Sequence, residues 1–460
     1  MSANIFKAGS SRVDITPPLG TRINGDFITH FATTIHDNLY ARVLVLNTGS
    51  DYLAFVIVDT CIIPQEFADT TKHLISSRTG IPFEHILIAS THTHAAGSLA
   101  DVHLGSIDMD YARSLPAKIL AGVSAAIQNL KPARIGYAAF DAPEHVVCRR
   151  YKMKEGYTYL NPVTGKPDRV KTNPIGAEAF IDHRTATPDT ELSYLAIQDL
   201  EGNWISILAN YSLHYVGDWE NGTISADYFG YFAHYLENQL DPAGQMTSMM
   251  TNGTSGDVNI WDFLAPERYP TELFAKSRLI GEDLAQQLID SIGDIQWSAP
   301  SDLHALYEEV VLHVEKPDAS TLHRSAELVG STVYETIVPD HPDSIRALYA
   351  REQLLVEQFP ETITCPVQAF RIGNIYVGAL AGEFFAETGL ALKSKANGKF
   401  YFTISMANGN IGYVPPKEQL ALGGYETWKC RYRCAEVDSE QIVREVLEKL
   451  TDKLGVVVRG

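Results

Sequence analysis

The chain has 460 residues, 45% of them hydrophobic and 20% charged, with a formal net charge of −19. This is the composition of a globular protein able to bury a large core, and its acidity excludes a polyanionic partner, since nucleic-acid binding needs a basic footprint. No apolar run approaches the ~20 residues that cross a bilayer, no basic amphipathic helix suggests stable membrane association, and Met1–Gly9 has no secretory apolar region.

The five cysteines are odd in number and scattered (Cys61, Cys148, Cys365, Cys430, Cys434). That favours a reducing compartment over a disulfide framework, so the expected location is cytoplasmic. Cys430 and Cys434 have no second Cys or His pair to complete a structural zinc site.

In chain order, Val13–Gly20 reads as a short strand stopped by Pro17 and Pro18. Ala41–Asn47 and Leu53–Val58 read as strands joined by a turn at residues 48–51, the second running into Asp59. A helix is expected over Glu66–Ser77. The next strand, from Ile86 to Ser90, delivers His92 and His94. In extended backbone i and i+2 share a face, so both imidazoles can address one point, a common way to seat a divalent metal.

Tyr111–Leu130 has helical apolar spacing, with Pro116 in its first turns. Residues 145–190 are polar and aperiodic, a loop of the kind that walls a site. They are also locally basic through Arg149, Arg150, Lys152 and Lys154 onward. That fits either a solvated loop or recognition of an anionic or polyhydroxylated small molecule.

Trp204–Ala209 is a buried strand leading to His214, followed by a helix over Tyr228–Leu240. Met246–Met250 leads into a Gly/Ser/Asn-rich loop carrying Asp257 and Asn259, and a helix is expected over Glu272–Ile289. Residues 300–365 differ in character and are expected to form an insertion or subdomain within one domain spanning 1–460. Ile375–Leu380 runs into Glu383, Phe400–Ser405 into a Gly/Asn-rich loop closed by Tyr413, and a final helix covers Glu440–Leu454.

The alternation of strands and helices indicates an α/β protein. Strand after strand ends in a metal-capable or acid–base side chain, and in such folds sites gather beyond the strand ends. Two imidazoles and a carboxylate, with water in an open position, make the usual catalytic zinc set. Each residue also has an ordinary role open to it: core packing for His214 and Tyr413, a helix N-terminus for Glu383, a turn for Asp257.

Six stretches, in order, carry a family likeness. They are Val13-Asp14-Ile15-Thr16-Pro17-Pro18; Ser90-Thr91-His92-Thr93-His94; Cys148-Arg149-Arg150-Tyr151 with Asn161-Pro162; Leu213-His214 with Ile224-Ser225-Ala226-Asp227; Gly256-Asp257-Val258-Asn259; and Gly382-Glu383-Phe384 followed by Gly412-Tyr413 and Gly424-Tyr425-Glu426. In them the chain resembles the catalytic domain of the neutral/alkaline (non-lysosomal) ceramidases. The resemblance implies layered mixed sheets flanked by helices, and one zinc per chain held by His92, His214, Glu383 and Tyr413. It also implies His94 as the acid–base residue beside a metal-bound water, with Arg149 and Tyr425 on the substrate's polar group and developing oxyanion. Asp257 joins the catalytic set by the same matching, and Arg150, Tyr151 and Asn259 the substrate-binding set.

Where the family has Gly-Asp-Val-Ser-Pro this chain has Asn259 and Ile260, which removes a serine nucleophile and leaves attack by metal-bound water untouched. The chain is expected to lack the family's C-terminal immunoglobulin-like domain and its export signal. The expected function is therefore zinc-dependent hydrolysis of an amide, or an ester, in a soluble small-molecule substrate. Action on a sugar or sugar-acid derivative, or a catalytically silent binding role, are the alternatives. A homo-oligomer is compatible with the sequence.

Overall fold

Strands with almost no polar residues need cover on both faces, and each apolar strand of this chain has it. The computed structural model of the chain describes residues 5–49, 51–266, 268–338 and 341–456. Tyr40–Thr48, Asp51–Val58 and Ile86–Ser90 lie side by side, and their residues alternate between two cores. Val43, Val45, Val56, Val58, Ile86 and Ile88 face one core, while Leu44, Leu46, Phe55, Ile57 and Leu87 face the other. This is the period-two alternation of a pleated strand, with both sets of side chains apolar.

These strands belong to a nine-stranded mixed sheet. Its order is Thr247–Asn252, Trp204–Tyr211, Glu191–Asp199, Lys131–Asp141, Lys7–Asp14, Tyr40–Thr48, Asp51–Val58, Ile86–Ser90, with Gln296–Ser298 pairing to Lys131–Asp141 off this path. The pair at each end is parallel and the pairs between are antiparallel. Helices Gln65–Thr79 and Met109–Gln128 cover one half of the outer face through Ala68, Ile75, Leu115, Ile119 and Val123. Helices Asp227–Leu240 and Ala275–Ser291 cover the other half through Phe229, Phe232, Leu236, Ile280 and Leu284.

The inner face packs against a second sheet, ordered Leu303–His313, Thr362–Ile372, Ile375–Leu380, Phe400–Ile404. Phe55 of the first sheet meets Phe370 of the second with ring centroids 5.0 Å apart. Helix Ser439–Val456 closes the far side through Val443, Leu447, Leu450 and Leu454. The result is an α–β–β–α sandwich, the layered α/β architecture expected.

Several boundaries move. Helix Met109–Gln128 starts two residues earlier than the pattern suggests, because Asp108 caps it by accepting from the Tyr111 N–H. Pro116 therefore sits inside the helix and not in its opening turns. Residues 145–190 are not wholly loop: Arg150–Met153 pairs with both Val170–Thr172 and Ile181–Arg184, and Val147–Cys148 pairs with Val258–Asn259. Strands of two to four residues are too short to show a period. At the expected insertion, Leu303–His313 pairs along its whole length with Thr362–Ile372, so both ends of 300–365 are core strands of the second sheet. Helices Ala319–Gly330 and Pro342–Glu357 form the excursion between them.

Candidate metal centre

The strand carrying the histidine pair ends at Ser90. Beyond it the backbone stays tied to its neighbours, with Thr91 N–H on Val58 C=O (3.0 Å) and His92 N–H on Thr60 C=O (2.9 Å). His92 itself takes φ +74°, a left-handed conformation uncommon for a residue with a Cβ. So His92 and His94 do not meet by strand alternation, as the sequence pattern suggests; a backbone turn at His92 brings them together. Their Nε2 atoms lie 3.3 Å apart. The His94 ring stacks on Tyr215, centroids 3.6 Å apart and 17° from parallel. Gly25 (φ +119°) lies against it so closely that a Cβ there would sit 2.5 Å from His94 Cβ.

His214 follows strand Trp204–Tyr211, and Glu383 follows Ile375–Leu380. Glu383–Phe384 forms a short parallel pair with Tyr413–Val414, setting Glu383 beside Tyr413 in register. The Gly256 N–H donates to Phe384 C=O (2.8 Å), and a Cβ at Gly256 would meet the Glu383 carbonyl oxygen at 2.4 Å. Glycine is what lets that loop press the Glu383 backbone into place.

The hydrogen bonds fix the tautomers. His92 Nδ1 is 2.7 Å from Cys61 C=O and His214 Nδ1 is 3.2 Å from Ser255 C=O. A carbonyl only accepts, so each Nδ1 carries its ring's proton and each neutral ring presents an Nε2 lone pair. Those two Nε2 atoms are 3.2 Å apart, and Glu383 Oε2 lies 3.6 Å from one and 3.7 Å from the other. Glu383 Oε2 is buried and has no hydrogen-bond partner. With both rings neutral, three buried lone pairs point at one another, an arrangement that costs free energy unless positive charge, a proton or a metal cation, sits among them.

Tetrahedral coordination with metal–nitrogen bonds of about 2.0–2.1 Å holds donors about 3.3 Å apart, so the spacing fits. The same demand for positive charge appears in the titration of the rings. Burial opposes protonation of His92, but the Cys61 thiol and Glu383 carboxylate beside it hold its pKa well above the ordinary value. Burial, with Arg149 and His92 nearby, pushes His214 well below it; burial and His92 do the same to His94. Two groups of metal-capable residues result: His92 with His214 and Glu383, all buried, and His92 with Cys61 and the half-buried His94.

Tyr413 stands at the edge of this cluster. Its hydroxyl accepts from Arg149 Nη2 at 3.0 Å, and burial and the Glu383 charge push its pKa well up while Arg149 pulls it down. Arg149 also donates Nη2–H to Gly256 C=O (2.8 Å) and Nε–H to Glu426 (2.8 Å), and its Nη1 has no hydrogen-bond partner among the described residues. Tyr425 packs edge-on to Tyr413, centroids 5.6 Å apart, as a phenol kept neutral by burial.

The other expected site residues face elsewhere. Arg150 is fully buried, and its donors go to Glu426, Gln419 and the Gly423 carbonyl. Its guanidinium is thus committed within the protein and is not an open fork for a substrate anion. Tyr151, also fully buried, accepts from the Phe263 N–H. Asn259 bonds Asn173 and the Trp261 N–H. Asp257 accepts from the Ala386 N–H (2.8 Å) at the start of helix Ala386–Lys395, three residues beyond Glu383. Asp59, another strand-end acid, pairs with Arg42.

Sequence reasoning missed three neighbours: Cys61, whose carbonyl orients His92; Tyr215, under His94; and Glu426, the partner of both arginines. Tyr215 follows His214 directly and Cys61 lies just past the end of strand Asp51–Val58, beside Ile86–Ser90, so both were findable as residues beyond strand ends.

A cavity of ≈ 240 Å³ opens onto His94, with Asp26, His30, Tyr215, Trp219, Asn221 and Thr223 among its lining. Among the described residues no helix is long and apolar enough to cross a membrane.

No family model matches the sequence, and no curated protein matches it. Among solved structures, the neutral ceramidase of Pseudomonas aeruginosa superposes with a TM-score of 0.71 at 16% identity, over 98% of this chain and 74% of that one. A structure described as ceramidase complexed with C2 gives 0.70 at 15% identity, over 98% of this chain and 75% of that one. The chain has a neutral ceramidase-like fold.

Proposed function

We propose that this ceramidase-like fold carries a zinc-dependent hydrolase that cleaves an amide, or an ester, in a soluble small molecule. The observation that carries the reading is the convergence of the His92 and His214 lone pairs on the unpartnered Glu383 oxygen. In it, His92, His214 and Glu383 hold the metal with Tyr413 as a fourth donor. When bound, the metal supplies a Lewis acid that polarises the substrate carbonyl and lowers the pKa of water towards ~7.

The chain's own residues do the rest. His94, held neutral and fixed on the Tyr215 ring, takes the proton of a water as its oxygen adds to the carbonyl carbon. The same proton passes to the amine nitrogen as the C–N bond breaks, leaving a carboxylic acid, which gives up its proton to solvent, and an amine. Arg149 Nη1 and the Tyr425 hydroxyl supply donors for the oxyanion. Arg150 and Asp257 act one step back, the first by fixing Glu426 and the second by anchoring the chain after Glu383.

The test is a panel of short N-acyl amides and matching esters, assayed with and without a chelator. Hydrolysis that a chelator removes and zinc restores supports the reading; hydrolysis indifferent to the chelator contradicts it.

A further inference from the structure

The cavity beside His94 tells what the substrate brings to the site. Among its described lining residues none is a lysine or arginine, and the one carboxylate is Asp26. That carboxylate is partly engaged, Oδ2 with His30 Nε2 (2.7 Å) and Oδ1 with the Phe27 N–H (2.6 Å). Each oxygen keeps further acceptor capacity. Asn221 adds an amide with two donors and an acceptor, and Thr223 a hydroxyl. The rings of Tyr215 and Trp219 stand 6.2 Å apart at 41°, apolar faces set among these polar groups.

The loop bearing these residues is pinned on both sides. Asp218 accepts from the Lys276 and Ser277 N–H groups (2.7 and 3.1 Å), capping helix Ala275–Ser291. Gly222 C=O accepts from the Thr33 N–H at 2.8 Å, and Thr223–Ile224 pairs with Thr34–Ile35. Trp219 and Asn221 are therefore presented by fixed backbone, which lowers the ordering cost of binding.

An anion would meet Asp26, and among the described lining residues no lysine or arginine to pair with it. A long acyl chain would find a cavity smaller than the roughly 300–1,000 Å³ of drug-sized sites and would leave its polar groups unpaired. A compact, uncharged polyhydroxylated ring satisfies both halves of the lining, its hydroxyls on Asp26, Asn221 and Thr223 and its C–H face on an aromatic ring. We infer that this cavity is the recognition site for a polyhydroxylated group of about monosaccharide size on the substrate. This deepens the hydrolase reading, on which it rests for the reaction but not for the binding.

Binding is tested with probes that contain no amide, so the outcome does not depend on turnover. The isolated protein is titrated calorimetrically with methyl α-D-glucopyranoside, with cyclohexylmethanol as the ring without the hydroxyl set, and with glutarate as the anion. The expected result is that the glucoside binds at least about tenfold tighter than either, because a site built to bond hydroxyls rejects analogues lacking them. Trp219→Ala and, in the exposed loop, Asn221→Ala are each expected to weaken it about tenfold. Equal or tighter binding of cyclohexylmethanol or glutarate, no binding of any probe, or undiminished glucoside binding in Asn221→Ala would overturn the inference. Chelator-sensitive amide hydrolysis persisting under any of those results leaves the reaction class standing without the polyol site.

Discussion

Two buried charge clusters lie side by side in this molecule and are built on opposite plans. In the Arg149–Glu426–Arg150 cluster every charge has its partner: Glu426, fully buried, accepts from both guanidiniums and from Thr172, and Arg150 and Arg149 hold its pKa down against burial. In the His92–His214–Glu383 cluster the groups converge but do not satisfy one another. Burying polar groups costs free energy unless they are paired, so the first arrangement reads as scaffolding and the second as a site that needs a ligand. Arg149 belongs to both, linking Glu426 to Tyr413.

The comparison can be broken by mutation, and the largest effect belongs to the unsatisfied cluster. His92→Ala is expected to reduce hydrolysis to background while leaving the denaturation midpoint little changed in the absence of metal, since the buried group it removes makes no side-chain hydrogen bond that satisfies Glu383 Oε2. His94→Gln tests the division of labour within the pair. It is expected to lower kcat by about 10²–10⁴-fold with metal content unchanged; loss of metal would instead make His94 a ligand.

Glu426→Gln acts on the satisfied cluster and strands two buried guanidiniums. Removing one partner of a buried pair costs about 3–5 kcal/mol, read as a lower midpoint in chemical denaturation. An unchanged midpoint would dissolve the distinction between the clusters.

Lys72 sharpens the contrast as a third kind of buried charge. Its Nζ has no hydrogen bond and lies over the Phe83 ring (4.0 Å) and the Tyr307 ring (4.5 Å), and burial lowers its pKa from 10.5 to about 7. Between those values the unfolded chain binds more protons than the folded one, so Lys72 makes stability rise with pH over that window and fall as pH drops towards 7. Lys72→Met is expected to stabilise the protein at pH 7 by about 1–2 kcal/mol and to flatten the gain between pH 7 and 9 in denaturation curves.

What could be read from the sequence follows the range of the interactions. The apolar strands and the polar residues that end them were legible because period two and a sudden His or Glu are local signals. The turn at His92 was not, because nothing in Ser90-Thr91-His92-Thr93-His94 announces a left-handed residue; the bonds of its backbone N–H to Thr60 and of its ring to the Cys61 carbonyl impose it. The fate of the basic segment was equally hidden. Arg150 looks solvent-facing until Glu426 is placed against it from 276 residues away. The second sheet was obscured for a similar reason, since two helices separate the strands Leu303–His313 and Thr362–Ile372 that pair across their full length.

The central claim is that the unsatisfied cluster holds a metal, and metal content measures it directly. After incubation with zinc and removal of the free ion, the wild-type protein should retain about one equivalent per chain by elemental analysis, with one zinc per site. His92→Ala and His214→Ala should retain far less, and Glu426→Gln, where it folds, should retain the wild-type amount. Less than about half an equivalent in the wild type, or full retention in His92→Ala, would contradict the account.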